Sequence, residues 1–375
     1  METRSRCALI ALAIVAVMSA FCSKKNTITP ELSLSLSEIA FQANGGTSDV
    51  TITSNVQWNI SNPAASWLQL SQASGNGSKV SIRLTAVANN TGATRSAVLE
   101  VSAGNSQVRR IKITQVSGIY PGYNLSPAPA DASGMESTAV QLAAKFKLGW
   151  NIGNTLEAIG GETAWGNPLI TESYIQFVKT QGFNAIRLPC SWDKHSDKAT
   201  AKIQDEWLAR VKQVVQYCVE NDMYVLLNIH WDGGWLENNI NSQKKDSVNA
   251  KQQAFWEQIA TTMRDFDEHL VFASANEPAA ETAEQVAVLS SYHQTFVNAV
   301  RSTGGRNSYR VLVVQGPSTN IEKTYELMNV LPTDPVKDRM MVEVHYYSPS
   351  QFCLLMDGDA SWGKMFYYWG TGHHS

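Results

Sequence analysis

The hydrophobic period changes near residue 118, and that change sets what the chain can fold into. From Leu32 to Val116 apolar and polar residues alternate, as in Leu32-Ser-Leu-Ser-Leu-Ser, Asp49-Val-Thr-Ile-Thr, Lys79-Val-Ser-Ile-Arg-Leu, Ala97-Val-Leu-Glu-Val and Arg110-Ile-Lys-Ile-Thr. The segments are bounded by Asn44-Gly45-Gly46, Gly75-Asn76-Gly77 and Gly104-Asn105. Strict alternation between turn residues means antiparallel strands with one buried face. Roughly seven such strands in under about a hundred residues predict an all-β sandwich over 30–117.

Residues 118–135 carry Pro121, Pro127 and Pro129 with Asp131 and Gly134, and read as a semi-stiff linker. Beyond it short apolar runs alternate with amphipathic stretches. Strands are expected at Gly149 to Asn154, Ala185 to Leu188, Tyr224 to Ile229, Leu270 to Ala275, Arg310 to Gln315 and Met340 to His345. Helices are expected at Glu136 to Lys147, Thr171 to Gln181, Ile203 to Asn221, Ala254 to Arg264 and Glu281 to Arg301, with Thr171 placed to cap and Gly182 to terminate. Continuous apolar strands between helices predict a parallel sheet wrapped by helices. Polar groups fall at nearly every strand end: Asn154, Arg187, His230, Asn276 with Glu277, Gln315, and His345 with Tyr347. An open sheet gathers its ligand groups at one switch point, whereas a (β/α)8 TIM barrel uses the ends of all its strands. The α/β class and the barrel are therefore expected for residues 136–375.

Arg4 and Arg6 precede an apolar run from Ala8 to Phe21, too short to span a bilayer, and residues 1–22 have the form of an export signal. Cys22, followed by Ser23, Lys24 and Lys25, resembles the lipid-accepting cysteine of a bacterial lipoprotein. The protein is expected outside the cytoplasm, as a cell-surface or periplasmic lipoprotein or as a secreted protein. A net charge of −3 with no basic stripe argues against nucleic acid as partner. Cys190, Cys218 and Cys353 have neither disulfide nor metal-site spacing and are expected as buried packing residues. The pair His373-His374 lacks a third ligand, so no metal and no cofactor are expected.

The stretch Leu270 to Pro278, Leu-Val-Phe-Ala-Ser-Ala-Asn-Glu-Pro, ends an apolar run in an amide, a carboxyl and a proline. A lone Glu here reads first as a capping carboxylate for the helix that follows. Leaving the mouth of an apolar strand, Glu277 is expected to hold its proton longer than a solvated carboxyl, which suits a general acid.

Its neighbours carry a resemblance. Asn276-Glu277-Pro278, Gly149-Trp150-Asn151-Ile152-Gly153-Asn154-Thr155-Leu156-Glu157, Ile186-Arg187-Leu188-Pro189, Asn228-Ile229-His230 and Val344-His345-Tyr346-Tyr347 resemble the family 5 glycoside hydrolases. The match is closest to the branch holding endo-β-1,4-glucanases and xyloglucanases. The resemblance implies retaining, endo-acting hydrolysis of a β-glucan polysaccharide, a β-1,4-linked glucan of the cellulose type, with Glu277 as acid/base and Asn276 bonding the 2-hydroxyl of the sugar in subsite −1. It also implies that Arg187, His345 and Tyr347 orient the nucleophile and its surroundings, with Asn154 and His230 near the substrate. Many relatives have a second His after the first in the third-strand motif. This chain has Trp231 and then Asp232-Gly233-Gly234-Trp235, so Trp231 and Trp235 are candidates for a sugar-stacking platform or for packing.

The N-terminal module resembles the immunoglobulin-like, carbohydrate-associated, often N-terminal domain of Bacteroidetes. The matching features are Trp58 after Ser54-Asn55, Ser66-Trp67-Leu68, Asn89/Asn90-Thr91-Gly92, Arg95-Ser96-Ala97 and Thr114-Gln115. Trp58 and Trp67 serve there either as core or as sugar contacts.

Retaining hydrolysis needs a second carboxyl, which in this family lies at the end of strand seven. Six strands are expected, and the last glutamate, Glu343, is placed a layer below the mouth. The expectation is thus a barrel missing its last two strands, with the nucleophile beyond the end of this chain and the 375-residue form inactive. Glu157 and Glu162 are expected as substrate-loop residues. Phe352, Trp362, Phe366, Tyr367, Tyr368 and Trp369 are expected to line the cleft. A monomer is expected. Xyloglucan, mixed-linkage glucan or mannan are alternative substrates, and a catalytically inactive glycan-binding surface lipoprotein is the alternative of another class.

Overall fold

The computed structural model describes residues 28–372 apart from 90, 92–93, 105–106, 357–362 and 369. The export signal with Cys22, Asn90 and Gly92, Trp362, Trp369 and His373-His374 lie outside the described residues.

Alternation produces the first of two units. Its strands are β1 (Leu32–Leu34), β2 (Glu38–Phe41), β3 (Gly46–Ser61), β4 (Leu68–Leu70), β5 (Ser74–Ala86), β6 (Arg95–Ala103) and β7 (Gln107–Gln115). They form one hydrogen-bonded sheet in the order β2-β7-β6-β3-β5-β4, with β1 also on β3. The long β3 makes this possible. Its register breaks between Ser54 and Gln57, after which Trp58–Ser61 pair with β6. Every second residue turns inward: Val50, Ile52, Trp58, Ile82, Leu84, Leu99, Val101, Ile111 and Ile113 share one core. Trp58 is 1% exposed, and a Cβ on Gly75 would come within 2.5 Å of its ring. Trp58 is therefore core, with no face open to a sugar.

The second unit is α/β. Residues 118–135 belong to it and do not stand free as a linker. Tyr123 N–H donates to Glu257 (2.6 Å), Tyr123 Oη–H to the Thr200 carbonyl (2.8 Å), and β8 (Ala128–Ala130) pairs with β13 (Gly304–Gly305). Proline spacing in the sequence carries no sign of these partners, which lie on distant helices and loops.

Six parallel strands follow: β9 (Gly149–Asn151), β10 (Ala185–Leu188), β11 (Tyr224–Asn228), β12 (Leu270–Ala273), β14 (Leu312–Gln315) and β15 (Met340–Glu343). Their pairing order is their chain order, with no reversal. A doubly wound sheet reverses and creates a switch point; sequential order is the barrel arrangement. Among the described residues β9 and β15 each pair on one side only.

Side chains alternate between two environments. Leu270, Phe272, Leu312 and Val314 pack on the surrounding helices. Val271, Ala273, Val311 and Val313 face inward and meet Ala139 and Leu142 of the short helix α1 (Ala139–Ala143), capped by Thr138. The other helices are α2 (Glu172–Thr180), α3 (Asp205–Glu220), α4 (Lys245–Thr262), α5 (Ala283–Ser302) and α6 (Ile321–Leu327). Thr171 caps α2 through Tyr174 N–H, and Gly182 follows it at φ +94°. In α3, Trp207, Leu208, Val211, Val214, Val215 and Cys218 form the buried stripe. Helix α4 starts at Lys245, earlier than the expected Ala254, because its first turns are polar and show no apolar period. Cys190 and Cys218 are buried, but Cys353 is exposed, which corrects the expectation for that residue.

Candidate active site

Inward alternation at the carboxyl ends of the strands places Asn151, Arg187, Gln315 and Glu343 toward one another, in register across β9–β10 and β14–β15. Arg187 is the hub. Its Nη1 donates to Asn151 Oδ1 (3.0 Å), its Nη2 to Asn276 Oδ1 (2.6 Å) and its Nε to Glu343 Oε1 (3.3 Å). A planar guanidinium with donors on three sides can hold three acceptors in fixed directions, which a lysine cannot.

The Asn276 amide is thereby oriented. Its oxygen faces Arg187, and the other side of the amide bonds the buried carboxyl of Glu237. Glu237 also accepts Glu277 N–H at 3.0 Å, and its own carbonyl accepts Ala279 N–H at 3.1 Å. One loop residue thus straps down the turn from Asn276 to Ala279. Burial raises the Glu237 carboxyl, against the hydrogen bonds from Glu277 and Asn276.

Glu277 projects into the opening with its side chain 43% exposed. His345 lies between two carboxylates, with Nδ1 2.6 Å from Glu277 Oε1 and Nε2 3.0 Å from Glu343 Oε1. Burial alone would lower the imidazole, but its bonds to Glu277 and Glu343 outweigh burial and raise it to about 9. The same hydrogen bond holds Glu277 below the usual carboxylate range. This overturns the expectation of a carboxyl that keeps its proton. The desolvation expected from the strand's mouth is present, but His345, 68 residues further on, contributes more. Burial pushes Glu343 up, and His345, Arg187 and Gln315 together more than offset it, so it too is held as an anion. His230 is lowered to about 4 by burial and by Arg187.

These groups line one cleft of ≈ 830 Å³. Glu277, Asn276, Arg187, His230, His345, Tyr347 and Asn154 all border it. Asn154 takes φ +58°, a conformation Asn tolerates, and its N–H and that of Thr155 donate to the Glu157 carboxylate. Glu157 therefore braces this loop from within, at 5% exposure.

Two candidates fall elsewhere. Neither Trp231 nor Trp235 borders the cleft. Trp231 is 45% exposed, whereas Trp235 packs edge-on against Phe255 with Lys251 over its ring. Four residues apart on a turn built around Gly233 and Gly234, the two rings lie in different surroundings, which the sequence spacing did not reveal. Of the two glutamates expected in the substrate loop, Glu157 borders the cleft and Glu162 does not. It is buried and held bidentately by Arg210 at 2.8 Å. The described tail aromatics Phe352, Phe366, Tyr367 and Tyr368 do not border the cleft. Glu237 was missed because nothing local marks it; Asn151, by contrast, stood inside a recognised motif.

The geometry agrees with the comparisons. A family model described as cellulase (glycosyl hydrolase family 5) matches residues 151–365. The chain belongs to glycosyl hydrolase family 5. It is accordingly a glycoside hydrolase with endoglucanase-type relatives. A second model, described as a putative binding domain, N-terminal, matches residues 57–116. The xyloglucan-specific endo-β-1,4-glucanase BoGH5A of Bacteroides ovatus is 33% identical over 377 residues, covering 94% of this chain and 74% of that protein. Endoglucanase B of Clostridium cellulovorans is 34% identical over 279 residues, covering 69% of this chain and 62% of its own length. A solved Bacteroides ovatus GH5 xyloglucanase, in complex with a XXXG heptasaccharide, aligns at a TM-score of 0.60 and 34% identity, over 88% of this chain and 74% of that one.

Proposed function

We propose that this glycoside hydrolase cleaves β-1,4-glucan chains internally with retention, and that Glu277 is its general acid/base. The observation that carries the reading is the position of Glu277, exposed at the end of β12 in the cleft and hydrogen-bonded to an imidazole that supplies or receives its proton. Asn276, held by Arg187 and Glu237, presents its amide to the 2-hydroxyl of the −1 sugar, while Asn154, His230, Tyr347 and His345 border the same subsite. With a pKa lowered to about 4, His230 meets the sugar as a neutral hydrogen-bonding ring. The exposed ring of Trp231 is the aromatic candidate for a more distant sugar; Trp235 is packing.

Retention requires a second carboxyl roughly 5–5.5 Å from the acid/base. Glu343 is tied to Arg187, Gln315 and His345, and Glu237 to the Glu277 turn, so neither is free to attack an anomeric carbon. We assign the nucleophile to a strand other than the six described. A relative specific for xyloglucan that matches across 94% of this chain favours a xyloglucan-substituted backbone over plain cellulose. The N-terminal module is proposed as an immunoglobulin-like spacer, with Trp58 in its core. An exported, monomeric protein with a lipid anchor at Cys22 completes the proposal. Among the described residues no helix is long and apolar enough to cross a membrane.

The test is hydrolysis of xyloglucan and carboxymethylcellulose by the whole enzyme and by Glu277→Ala. Losing a general acid/base lowers turnover by roughly 10²–10⁴. With an activated aryl β-glycoside, whose leaving group departs without an acid, azide should restore turnover in Glu277→Ala and give a β-glycosyl azide. Near wild-type rates in Glu277→Ala would sink the assignment.

A further inference from the structure

The glutamate two residues before His345 is in a place that the acid/base assignment alone does not explain. Glu343 ends strand β15, and its Oε1 meets Nε2 of His345, two residues beyond, at 3.0 Å. The carboxylate is only 12% exposed. Arg187 Nε reaches the same oxygen at 3.3 Å, and Gln315 Nε2 donates to the other at 2.6 Å. Gln315 is itself fixed, because its Oε1 accepts Ala275 N–H at 2.8 Å. Glu343 is thus held by three side chains, and its ionisable contacts in the cleft are Arg187 and His345. The other face of the imidazole completes a line: Glu277 Oε1, His345 Nδ1, His345 Nε2, Glu343 Oε1.

We propose that Glu343 is a positioning residue that makes His345 the store for the catalytic proton, by holding the imidazole in the form that keeps hydrogen on Nε2 and leaves the Nδ1 proton to be exchanged with Glu277. Both ring nitrogens face carboxylate oxygens, so both donate in the resting state, and His345 is a cation between Glu277 and Glu343. When the Nδ1 proton moves to Glu277 Oε1, Glu277 becomes the neutral acid. His345 becomes a neutral ring whose remaining hydrogen, on Nε2, still points at the Glu343 anion. No proton is gained or lost by the set. When Glu277 later takes a proton from water, the Nδ1 site is open to receive it. A neutral residue at position 343 would remove the charge that keeps hydrogen on Nε2, and so disfavour the doubly protonated ring that carries the Nδ1 proton toward Glu277.

The charges facing His345 can be named. Glu277 comes from the loop after β12, Glu343 from its own strand, Arg187 from β10 and His230 from the loop after β11; Tyr347 lies edge-on to the ring at 6.1 Å, and the His345 N–H is bonded to the Thr319 carbonyl. Burial and Arg187 oppose a charged His345, while His230, lowered to about 4, is neutral at neutral pH, so the two carboxylates must outweigh burial and Arg187. The raised titration of His345, at about 9, is consistent with that balance. Because Glu277 and His345 share a proton, they titrate as a pair. Removing the negative charge of Glu343 lowers the pair's affinity for its last proton, so deprotonation moves to lower pH. An opposite charge in direct contact shifts a pKa by roughly one to three units.

The kinetic meaning of this inference rests on Glu277 being the acid/base, but its test need not. In protein labelled with ¹⁵N-histidine, the His345 ring resonances, assigned with His345→Gln, are followed from pH 5 to 10 in wild type, Glu343→Gln and Glu343→Asp. Wild-type His345 should show the cationic pattern through neutral pH and titrate near 9, while Glu343→Gln should titrate roughly one to three units lower. Glu343→Asp keeps the charge and should stay closer to wild type. The alkaline limb of kcat/KM should move with the ring titration, whereas a merely structural role for Glu343 would lower rate or stability and leave the limb in place. The proposal is overturned if wild-type His345 titrates near its ordinary value, a result that needs no variant to fold, or if the folded Glu343→Gln protein titrates like wild type. Full activity in Glu277→Ala would instead defeat the acid/base assignment while leaving the ring titration as it is.

Discussion

Acid should loosen the α/β unit through a histidine that never meets the cleft. His293, on α5, is 1% exposed. Its Nε2 lies 3.0 Å from the Gln315 carbonyl, an obligate acceptor, so that nitrogen carries the hydrogen. Its Nδ1, 2.9 Å from Ser274 Oγ, must then accept, and Ser274 in turn accepts from Gln252 Nε2 at 3.0 Å. A second proton, on Nδ1, would turn that nitrogen into a donor and cost the Ser274 hydroxyl its acceptor, and burial lowers His293 from 6.5 to about 4. A folded-state pKa below the unfolded one makes the contribution to stability complete above pH 6.5 and lost progressively as pH falls toward 4. At about 1.36 kcal/mol per unit the loss is about 3 kcal/mol. The variant His293→Gln keeps a donor and an acceptor but does not titrate. Urea unfolding of both proteins, read from hydrogen exchange of β12 and α5 amides so that only this unit is reported, should be run from pH 7.5 to 4. The buried His230 and all carboxylates cancel in the difference. Wild type should lose about 3 kcal/mol relative to His293→Gln across that range. A difference constant to about 0.5 kcal/mol would refute the reasoning, because a ring protonated in the fold cannot be held as the hydrogen bonds require.

Arg310→Met should lower the stability of the α/β unit by about 4 kcal/mol in denaturant unfolding without altering the active-site geometry. The fully buried guanidinium donates to the carbonyls of Phe266, Asp267 and Leu270 and to Asn307 Oδ1, and all would lose this donor, the Asp267 carbonyl keeping the Leu270 N–H at 3.2 Å. Trp231→Ala and Trp235→Ala should separate binding from packing: calorimetry with a xyloglucan oligosaccharide should show affinity falling by about 1 kcal/mol for the first. The second should leave affinity unchanged and lower stability by about 3 kcal/mol.

What the sequence made legible follows from the range of the forces involved. The strand cores of β10, β11, β12, β14 and β15 and the cap of α2 are written in adjacent residues, because apolar runs and a Thr before a helix act locally. Seven polar residues of the cleft were legible because each ends a strand, and sequential strand order brings strand ends together. The proton state of Glu277 was not, since it depends on His345 from another strand. Glu237 was invisible for the same reason, as its partners Asn276 and Glu277 lie 39 and 40 residues away and its own loop has no apolar period. The 118–135 stretch misled because prolines fix local backbone but do not say what the chain will lie against.

The buried polar residues behind the cleft also explain why the acid/base sits where it does. Ser274, three residues before Glu277, is bonded by Gln252 from α4 and by His293 from α5. His293 continues to the Gln315 carbonyl on β14, while the Gln315 side chain holds Ala275 N–H on one side and Glu343 on the other. Strand β12 is therefore pinned at Ser274 and Ala275, and Glu237 pins the turn that follows at Glu277 and Ala279. Between those points the chain has little freedom to displace the carboxyl. The same Gln315 that fixes Ala275 fixes Glu343, so the two ends of the Glu277–His345–Glu343 line share a support. A displacement of β12 relative to β15 would stretch the His345 contacts at 2.6 and 3.0 Å, and hydrogen bonds weaken steeply with such stretching. Polar residues in a parallel-barrel interior are costly unless every group is paired. Here Gln315, His293 and Glu343 are all paired, and the consequence is a cleft in which one carboxylate is 43% exposed for chemistry while its counterpart, 12% exposed, stays mostly covered to hold the proton between them.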